Sequence, residues 1–542
     1  MNFAFLIKTN RKLIALAVVF SLLTTAVTLL QPAYVGMLLT AAGSGEITAP
    51  LITLLGVLVG GAILSGLTMF VSSLAADKAV RELRRKLSRH LMALTVAEYE
   101  KRGAGGFVTR ITSDTTIVST AFSSALVDTI GGITIVIGAV VDMVLLLVVV
   151  VVVGLSIGII AAASSRIGSL SQTVQDHLSR LGEIFQNSLS VIRTIKSLRA
   201  ERTVVGLLDQ EITSCYQARK KMNVVEAILM PLSTLTGYVA LIVVLVVDAI
   251  RVSRGAISTE QLVVFATALF VVMAPIGQVS VAFSSFFEAK GAMVRIKELF
   301  TLPIEDIEPT RGSVDKHKAP IAAAFPFEFR SVSYGFRDAQ VLSDTNLDVR
   351  AGEKVALMGP SGSGKSTMLS LPLRFYQPTS GTILVDGATI ADQSLFDLRG
   401  TVAYVEQEPN LLPGTLKENL LLGVAEPPTD SELIELLRQC GLFDFASQSG
   451  LRREVGAANS GVSGGERQRI AIIRAIIQKA PIIVVDEPTS ALDTNTAITV
   501  MSLLMDIPAT VVYSTHDRQV ARLADRSLSI ADGRIVPTPD DS

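Results

Sequence analysis

The sequence has no tryptophan, only two cysteines, and charged side chains at just 18% of positions. Each shortage excludes something. With formal net charge −1 there is no cationic excess to draw nucleic acid as a partner. Cys215 and Cys440 fall in segments assigned below to the cytosol, so they are expected as reduced thiols and not as a disulfide. Aromatic residues make up 5% of the chain, and the apolar runs are modest in Phe and Tyr, which disfavours an aromatic-lined drug cavity. Against this scarcity of charge stand 49% hydrophobic residues and a mean hydropathy of +0.50. That balance excludes a wholly soluble protein and points to membrane segments. The length of 542 residues accommodates a membrane block and a soluble block.

Stretches without charge run over Leu13–Gly45, Ile47–Ala76, Ala227–Val247 and Gln261–Phe287. Each reaches the roughly 20 residues needed to cross about 30 Å of hydrocarbon. Thr129–Ser165 is interrupted only by Asp142 and could be one long helix or a hairpin. Basic residues decide. Residues 78–110 and 166–221 are both rich in Lys and Arg, so both belong on the cytosolic side and an even number of spans separates them. The chain must then turn near Asp142, with a third span beginning around Ile117. Six spans follow, with both termini cytosolic; Arg251 and Arg254 in the last outer loop run against the trend. The two basic segments are helical in pattern and too long for turns, so they are expected to extend membrane helices into the cytosol. Residues 1–12 are read as a short interfacial helix and not as a cleavable signal, because the following apolar run is too long. The expected domains are a membrane domain over 1–300, a linker over 301–326 with Pro303, Pro309, Gly312 and Pro320, and an α/β domain over 327–542. Gln31, Pro32, Tyr34, Asp128 and Asp248 are the polar or helix-breaking positions near the spans. Structural roles are expected for the two acids.

Three motifs carry chemistry. Gly359-Pro-Ser361-Gly362-Ser-Gly364-Lys365-Ser366-Thr367 follows the apolar strand Lys354–Met358 and precedes a helix, which is the P-loop context. Glycines let backbone N–H groups turn towards phosphate oxygens, Lys365 reaches the β/γ phosphates, and Ser366 suits Mg²⁺. Pro481-Ile-Ile-Val-Val-Asp486-Glu487 is a buried strand ending in two acids. Asp486 suits a Mg²⁺ ligand through water and Glu487 suits polarising an attacking water. Val462-Ser463-Gly464-Gly465-Glu466 opens a helix over Arg467–Lys479, a third anion-seeking feature.

Together these residues resemble the ABC transporters, in which a Ser-Gly-Gly signature closes on ATP held by the opposite subunit. The usual signature is Leu-Ser-Gly-Gly-Gln; this chain departs at Val462 and Glu466. The resemblance implies further roles. Tyr334 stands where the family stacks an aromatic on adenine. Gln407 matches the glutamine that meets the γ-phosphate region and the membrane domain and is a candidate Mg²⁺ ligand, Asp493 lies in the loop bridging the two sites, and His516 matches the switch histidine. Phe107–Asp114 resembles the first coupling loop of type IV exporters, and Ile192–Glu201 the stretch after the fourth span.

The implied protein is a half-transporter: a six-span helical membrane domain fused to an α/β P-loop ATPase, using ATP and Mg²⁺ and pairing with a second half-transporter. Its expected setting is a bacterial plasma membrane. The expected function is export of an amphipathic solute, lipid or peptide; the alternatives are a siderophore-type importer on the same fold, or an ATP-gated channel or regulatory subunit. With about a dozen residues before the first span, no N-terminal peptidase or reductase-like domain is expected. Intact Lys365, Gln407, Asp486, Glu487 and His516 favour a homodimer. Val462, Glu466 and Ala457, which stands where a second glutamate is common, argue the other way.

Overall fold

The computed structural model describes residues 10–123, 143–306, 324, 326–336, 339–456 and 461–537. The expected turn near Asp142, Asp128, the greater part of the N-terminal interfacial helix, Ala457, and Pro309, Gly312 and Pro320 of the linker lie outside the described residues.

The chain divides into two compact units. One comprises Met1–Met92 and Ala104–Leu302; the other comprises Ala93–Gly103 and Pro303–Ser542. In the first, long helices dominate: α1 (Arg11–Ser44), α2 (Thr48–Met92), then, beyond α3 (Val96–Arg102) of the other unit, α4 (Ala104–Thr109), α5 (Met143–Ser190), α6 (Ile192–Ser197), α7 (Glu201–Ser253) and α8 (Thr259–Leu299). At 1.5 Å per residue, the 45 residues of α2 and 53 of α7 are about 70 and 80 Å long, more than twice the hydrocarbon thickness. Their basic halves therefore extend well beyond a bilayer. Among the described residues, Arg11–Ala42 and Thr48–Met92 are the helices long and apolar enough to cross one by composition.

Packing in this unit relies on small residues. Ala76 and Ala79 of α2 are buried with Ala292 of α8, which lets Leu83, Met293 and Ile296 interlock. Threonines of α1 return their hydroxyls to the carbonyl four residues back, and Thr24 also meets Thr68 of α2 at 3.2 Å. Pro32 and Pro231 are accommodated inside α1 and α7. A capping box between Ser258 and Gln261 starts α8.

Two sequence expectations are refined here. Phe107–Asp114 is not an open loop: α4 leads into a π-helical turn at Arg110–Asp114. There, buried Asp114 accepts two hydrogen bonds from Arg295, at 2.7 and 3.1 Å, and a third from Arg110 at 3.1 Å. Arg251 lies within α7 and not in a loop, and it donates to buried Asp248 at 3.1 Å. That cation is spent on a local acid, so its location conflicts less with the basic-inside pattern.

In the second unit, the α3 segment is tied to the chain after the membrane helices. Thr95 N–H donates to the Pro303 carbonyl, and Glu305, whose N–H meets the Ala93 carbonyl, pairs with Arg399 through two short contacts of 2.6 and 2.9 Å. The strands are β1 (Phe327–Phe336), β2 (Ala339–Val349), β3 (Lys354–Met358), β4 (Ser380–Val385), β5 (Ala388–Thr389), β6 (Val402–Val405), β7 (Gly414–Thr415), β8 (Glu454–Val455), β9 (Ile482–Val485), β10 (Thr510–Ser514), β11 (Arg526–Ala531) and β12 (Arg534–Pro537). A four-stranded sheet has the order β2-β1-β4-β5, a six-stranded sheet β12-β11-β3-β10-β9-β6, and β7 pairs with β8. In the larger sheet β3, β6, β9, β10 and β11 are parallel, and β12 runs antiparallel on the edge. The central strands are nearly continuous runs of β-branched or aliphatic residues because apolar layers cover both faces.

Candidate active site

Parallel register places the chemistry at one edge. Val405, Val485 and Tyr513 are aligned across β6, β9 and β10, and Ser514 pairs with Leu357 of β3. Each strand is followed within three residues by a residue of interest: Gln407, Asp486 and Glu487, His516, and Gly359. Neighbouring parallel strands must deliver these loops to their common carboxyl end, where ligands bind in open α/β sheets.

The loop after β3 depends on its glycines. Gly359 has φ +149°, and a Cβ there would stand 2.5 Å from the Ile530 carbonyl oxygen. Gly362 and Gly364 have φ of +80° and +99°, a region that glycine enters at little cost. The Lys365 side chain is buried, and its ammonium donates to the Gly359 and Pro360 carbonyls at 2.8 and 2.9 Å. Ser363 Oγ is buried without a protein partner. A cation and an orphaned hydroxyl within a glycine-rich turn suit a phosphate chain. Ser361 and Ser366 are exposed, and Thr367 is half-buried.

Glu487 is the hub of the acidic edge. Its carboxylate accepts a hydrogen bond from Gln407 Nε2 at 3.0 Å and lies 3.9 Å from His516 Nδ1. Its backbone has φ +45°, uncommon for any residue but glycine. Asp486 beside it is buried, and its carboxylate accepts from Ser514 Oγ at 2.6 Å. The structure thus brings Gln407, Asp486, Glu487 and His516 together. Burial close to Asp486 and Glu406 pushes the Tyr404 phenol well above its ordinary value. The Ser366 hydroxyl, the Asp486 carboxylate and the Gln407 amide oxygen are each of the hard oxygen type that Mg²⁺ prefers.

Tyr334 is placed differently. It is buried in β1 with its ring centroid 5.6 Å from that of Tyr376, whose hydroxyl donates to Glu100 of α3 at 2.6 Å. Burial raises the phenols of both tyrosines, and Glu100 adds to the effect.

The signature helix spans Gly464–Gln478, starting three residues before the expected Arg467 because the glycines form its first turn. Ser463 caps it: Glu466 N–H donates to Ser463 Oγ at 3.2 Å, and the Glu466 carboxylate accepts from Ser463 N–H at 2.6 Å. Both departures from the usual signature therefore have local explanations. Glu466 completes a capping box, and Val462 is buried in an apolar cluster. A Cβ at Gly465 would stand 2.7 Å from the Ala491 carbonyl oxygen, so glycine permits close packing of this helix on the following loop. Asp493 caps the helix Thr494–Met505 by accepting from Thr496 N–H at 3.1 Å, and these hydrogen bonds hold its carboxyl below the usual range.

Sequence reasoning missed two buried residues. Ser514 closes β10, and Gln468 in the signature helix donates to the Glu487 carbonyl at 2.6 Å. The available signal for Ser514 was a hydroxyl ending an apolar strand; Gln468, between Arg467 and Arg469, gave none.

With this geometry in view, the matches to known proteins are direct. Residues 14–276 match the family model of the ABC transporter transmembrane region, and residues 342–490 match the ABC transporter model. An ATP-dependent lipid A-core flippase of Photobacterium profundum is 30% identical over 493 residues, covering 88% of this chain and 83% of the flippase. The chain belongs to the ABC transporters. Flippases of the same description from Chromobacterium violaceum and Vibrio vulnificus are each 28% identical, over 88% and 95% of the transporter. A solved structure, described as a bacterial Atm1-family ABC exporter with ATP bound, superposes with a TM-score of 0.84 at 23% identity, covering 97% of the transporter and 94% of that chain. The transporter therefore has the exporter-type fold, with fused membrane and ATP-binding regions, and hydrolyses ATP to drive transport.

Proposed function

We propose that the transporter exports an amphipathic lipid, solute or peptide by alternating access, driven by closure of two ATPase domains. The observation that carries this reading is the similarity to ATP-dependent lipid A-core flippases along 88% of the chain, through both the membrane and the ATP-binding regions. In the family, the signature of one chain completes the ATP site of another, so the working unit is a dimer; a second copy of this chain is the favoured partner. Both termini face the cytosol of a bacterial plasma membrane.

Lys365 neutralises the β/γ phosphates, and the P-loop backbone of Gly359, Ser361, Gly362, Gly364 and Thr367 cradles them. Tyr334 is assigned to the adenine side by the family resemblance alone, since its ring is buried against Tyr376. Ser463, Gly464 and Gly465 meet ATP held by the partner, and Asp493 lies in the loop between the two sites. Those cross-dimer contacts form only on closure, which gives ATP the differential affinity that shifts the population. Ser366, Asp486 and Gln407 would hold Mg²⁺, which would supply charge neutralisation at the phosphates. Glu487 orients the attacking water, with Gln407 and His516 fixing its carboxylate. Catalysis is thus chiefly positioning and charge stabilisation.

The test combines two preparations. The chain purified alone should form a stable dimer whose ATPase requires Ser463 as well as Glu487. In inside-out vesicles it should accumulate a fluorescent amphipath in an ATP-dependent way. Accumulation only in right-side-out vesicles would establish import, and ATP-independent flux through an opened state would establish a channel.

A further inference from the structure

Glu487, at φ +45°, occupies a backbone region in which a side chain is disfavoured, and its peptide groups are held from both sides. On the amino side, Glu487 N–H donates to Ser514 Oγ at 2.8 Å. On the carboxyl side, Gln468 Nε2 donates to the Glu487 carbonyl at 2.6 Å. Ser514 does more than accept. Its hydroxyl proton goes to Asp486 Oδ1 at 2.6 Å, so one oxygen joins both acids, using the donor and one acceptor position that a hydroxyl has. Ser514 is fully buried, and Gln468 almost so. Water cannot readily replace either partner.

Gln468 is further fixed by its neighbours. Its Nε2 also approaches Ser490 Oγ at 3.4 Å, and its Oε1 accepts from Ala491 N–H at 3.3 Å. The amide plane is therefore set from both ends, as the carbonyl clamp requires. Ser514 is set by the register that aligns β10 with β3 and β9.

The structure assigns Ser514 and Gln468 as positioning residues for ATP hydrolysis: together they hold the Glu487 peptide left-handed, so that its carboxylate meets Gln407 and faces His516. Neither touches the reacting atoms; Gln468 acts through Glu487, and Ser514 acts through Glu487 and the adjoining Asp486. The inference rests on the proposed role of Glu487 in orienting water. Without the clamp, the Glu487 carbonyl keeps only the longer bond from Ser490 N–H at 3.3 Å, and the peptide can relax towards right-handed geometry, carrying the carboxylate away from Gln407. The rate then falls while the phosphate-binding loop, anchored on β3, is unchanged.

The test is a double-mutant cycle in the full-length dimer in lipid nanodiscs. Ser514→Ala and Gln468→Met are each measured in the natural background and with Glu487→Gln, using steady-state ATPase, a fluorescent ATP analogue for binding, and thermal unfolding. In the natural background each variant should lose about tenfold in kcat, with KM and analogue affinity within about twofold. With Glu487→Gln, where no carboxylate remains to be positioned, Gln468→Met should change the residual rate by less than about twofold, and Ser514→Ala, which still loses its bond to Asp486, by clearly less than in the natural background. Ser514→Thr, if its melting curve matches the parent, should restore most of the rate because the hydroxyl is kept. Two results overturn the inference: a Ser514→Ala enzyme at full kcat, or the same fold-loss in both backgrounds, which puts the effect outside Glu487. A Glu487→Gln enzyme that keeps its turnover would instead unseat Glu487 itself, and the clamp with it.

Discussion

The side-chain amide of Gln407 donates to the Glu487 carboxylate at 3.0 Å, joining the ends of two neighbouring parallel strands. Residues 80 positions apart in sequence thus share one hydrogen bond, and it orients the acid proposed to act on water.

Replacing that acid is the sharpest test of the site. Glu487→Gln should bind ATP normally yet hydrolyse it at least about 100-fold more slowly, since a water-orienting group is lost while the phosphate contacts remain. It should also accumulate as a closed dimer on ATP addition. Near-normal phosphate release would move the role of general base elsewhere.

Lys365→Ala should lose most of its ATP affinity. The ammonium is buried within the P-loop, where it donates to the Gly359 and Pro360 carbonyls, and no other lysine lies in the motif. Binding of a fluorescent ATP analogue measures the loss directly. Affinity equal to the parent's would refute the phosphate-binding assignment.

Topology has its own test. Met143 begins α5 directly after Asp142, where the charge pattern requires an outward turn. Met143→Cys, in a background without Cys215 and Cys440, should react with a membrane-impermeant thiol reagent added outside intact cells. Reaction only after permeabilisation would rule out six spans in this arrangement.

The remaining prediction concerns pH. Burial pushes the Cys440 thiol up to about 11, with Arg469 opposing the shift. At pH 8 that leaves about one thiolate in a thousand, so native Cys440 should resist iodoacetamide under conditions that alkylate it in denaturant. Because the raised value favours the neutral folded form, the stability tied to this site is intact below the thiol's ordinary value. It declines as pH rises through about 11. Rapid alkylation of folded protein at pH 8, read by peptide mass, would contradict the burial.

By itself, the sequence determined the class of chemistry and its order along the chain. The spacing Gly359 to Thr367 and the strand ending in Asp486-Glu487 are local patterns, because a phosphate cradle and a strand-end acid are each built from consecutive residues. Long apolar runs between basic segments likewise declare membrane helices, since hydrocarbon thickness and loop charge act residue by residue. Tertiary structure alone decided which side chains complete the site. Ser514 and Gln468 reach Glu487 from 27 and 19 positions away. Their hydrogen bonds exist only because β10 lies beside β9 and the signature helix packs near its end. Likewise Asp114 and Arg295, separated by 181 residues, find each other only when the π-helical turn meets α8. No local pattern contains these pairings. They arise from strand order and helix packing, which the burial of apolar surface from distant segments selects cooperatively.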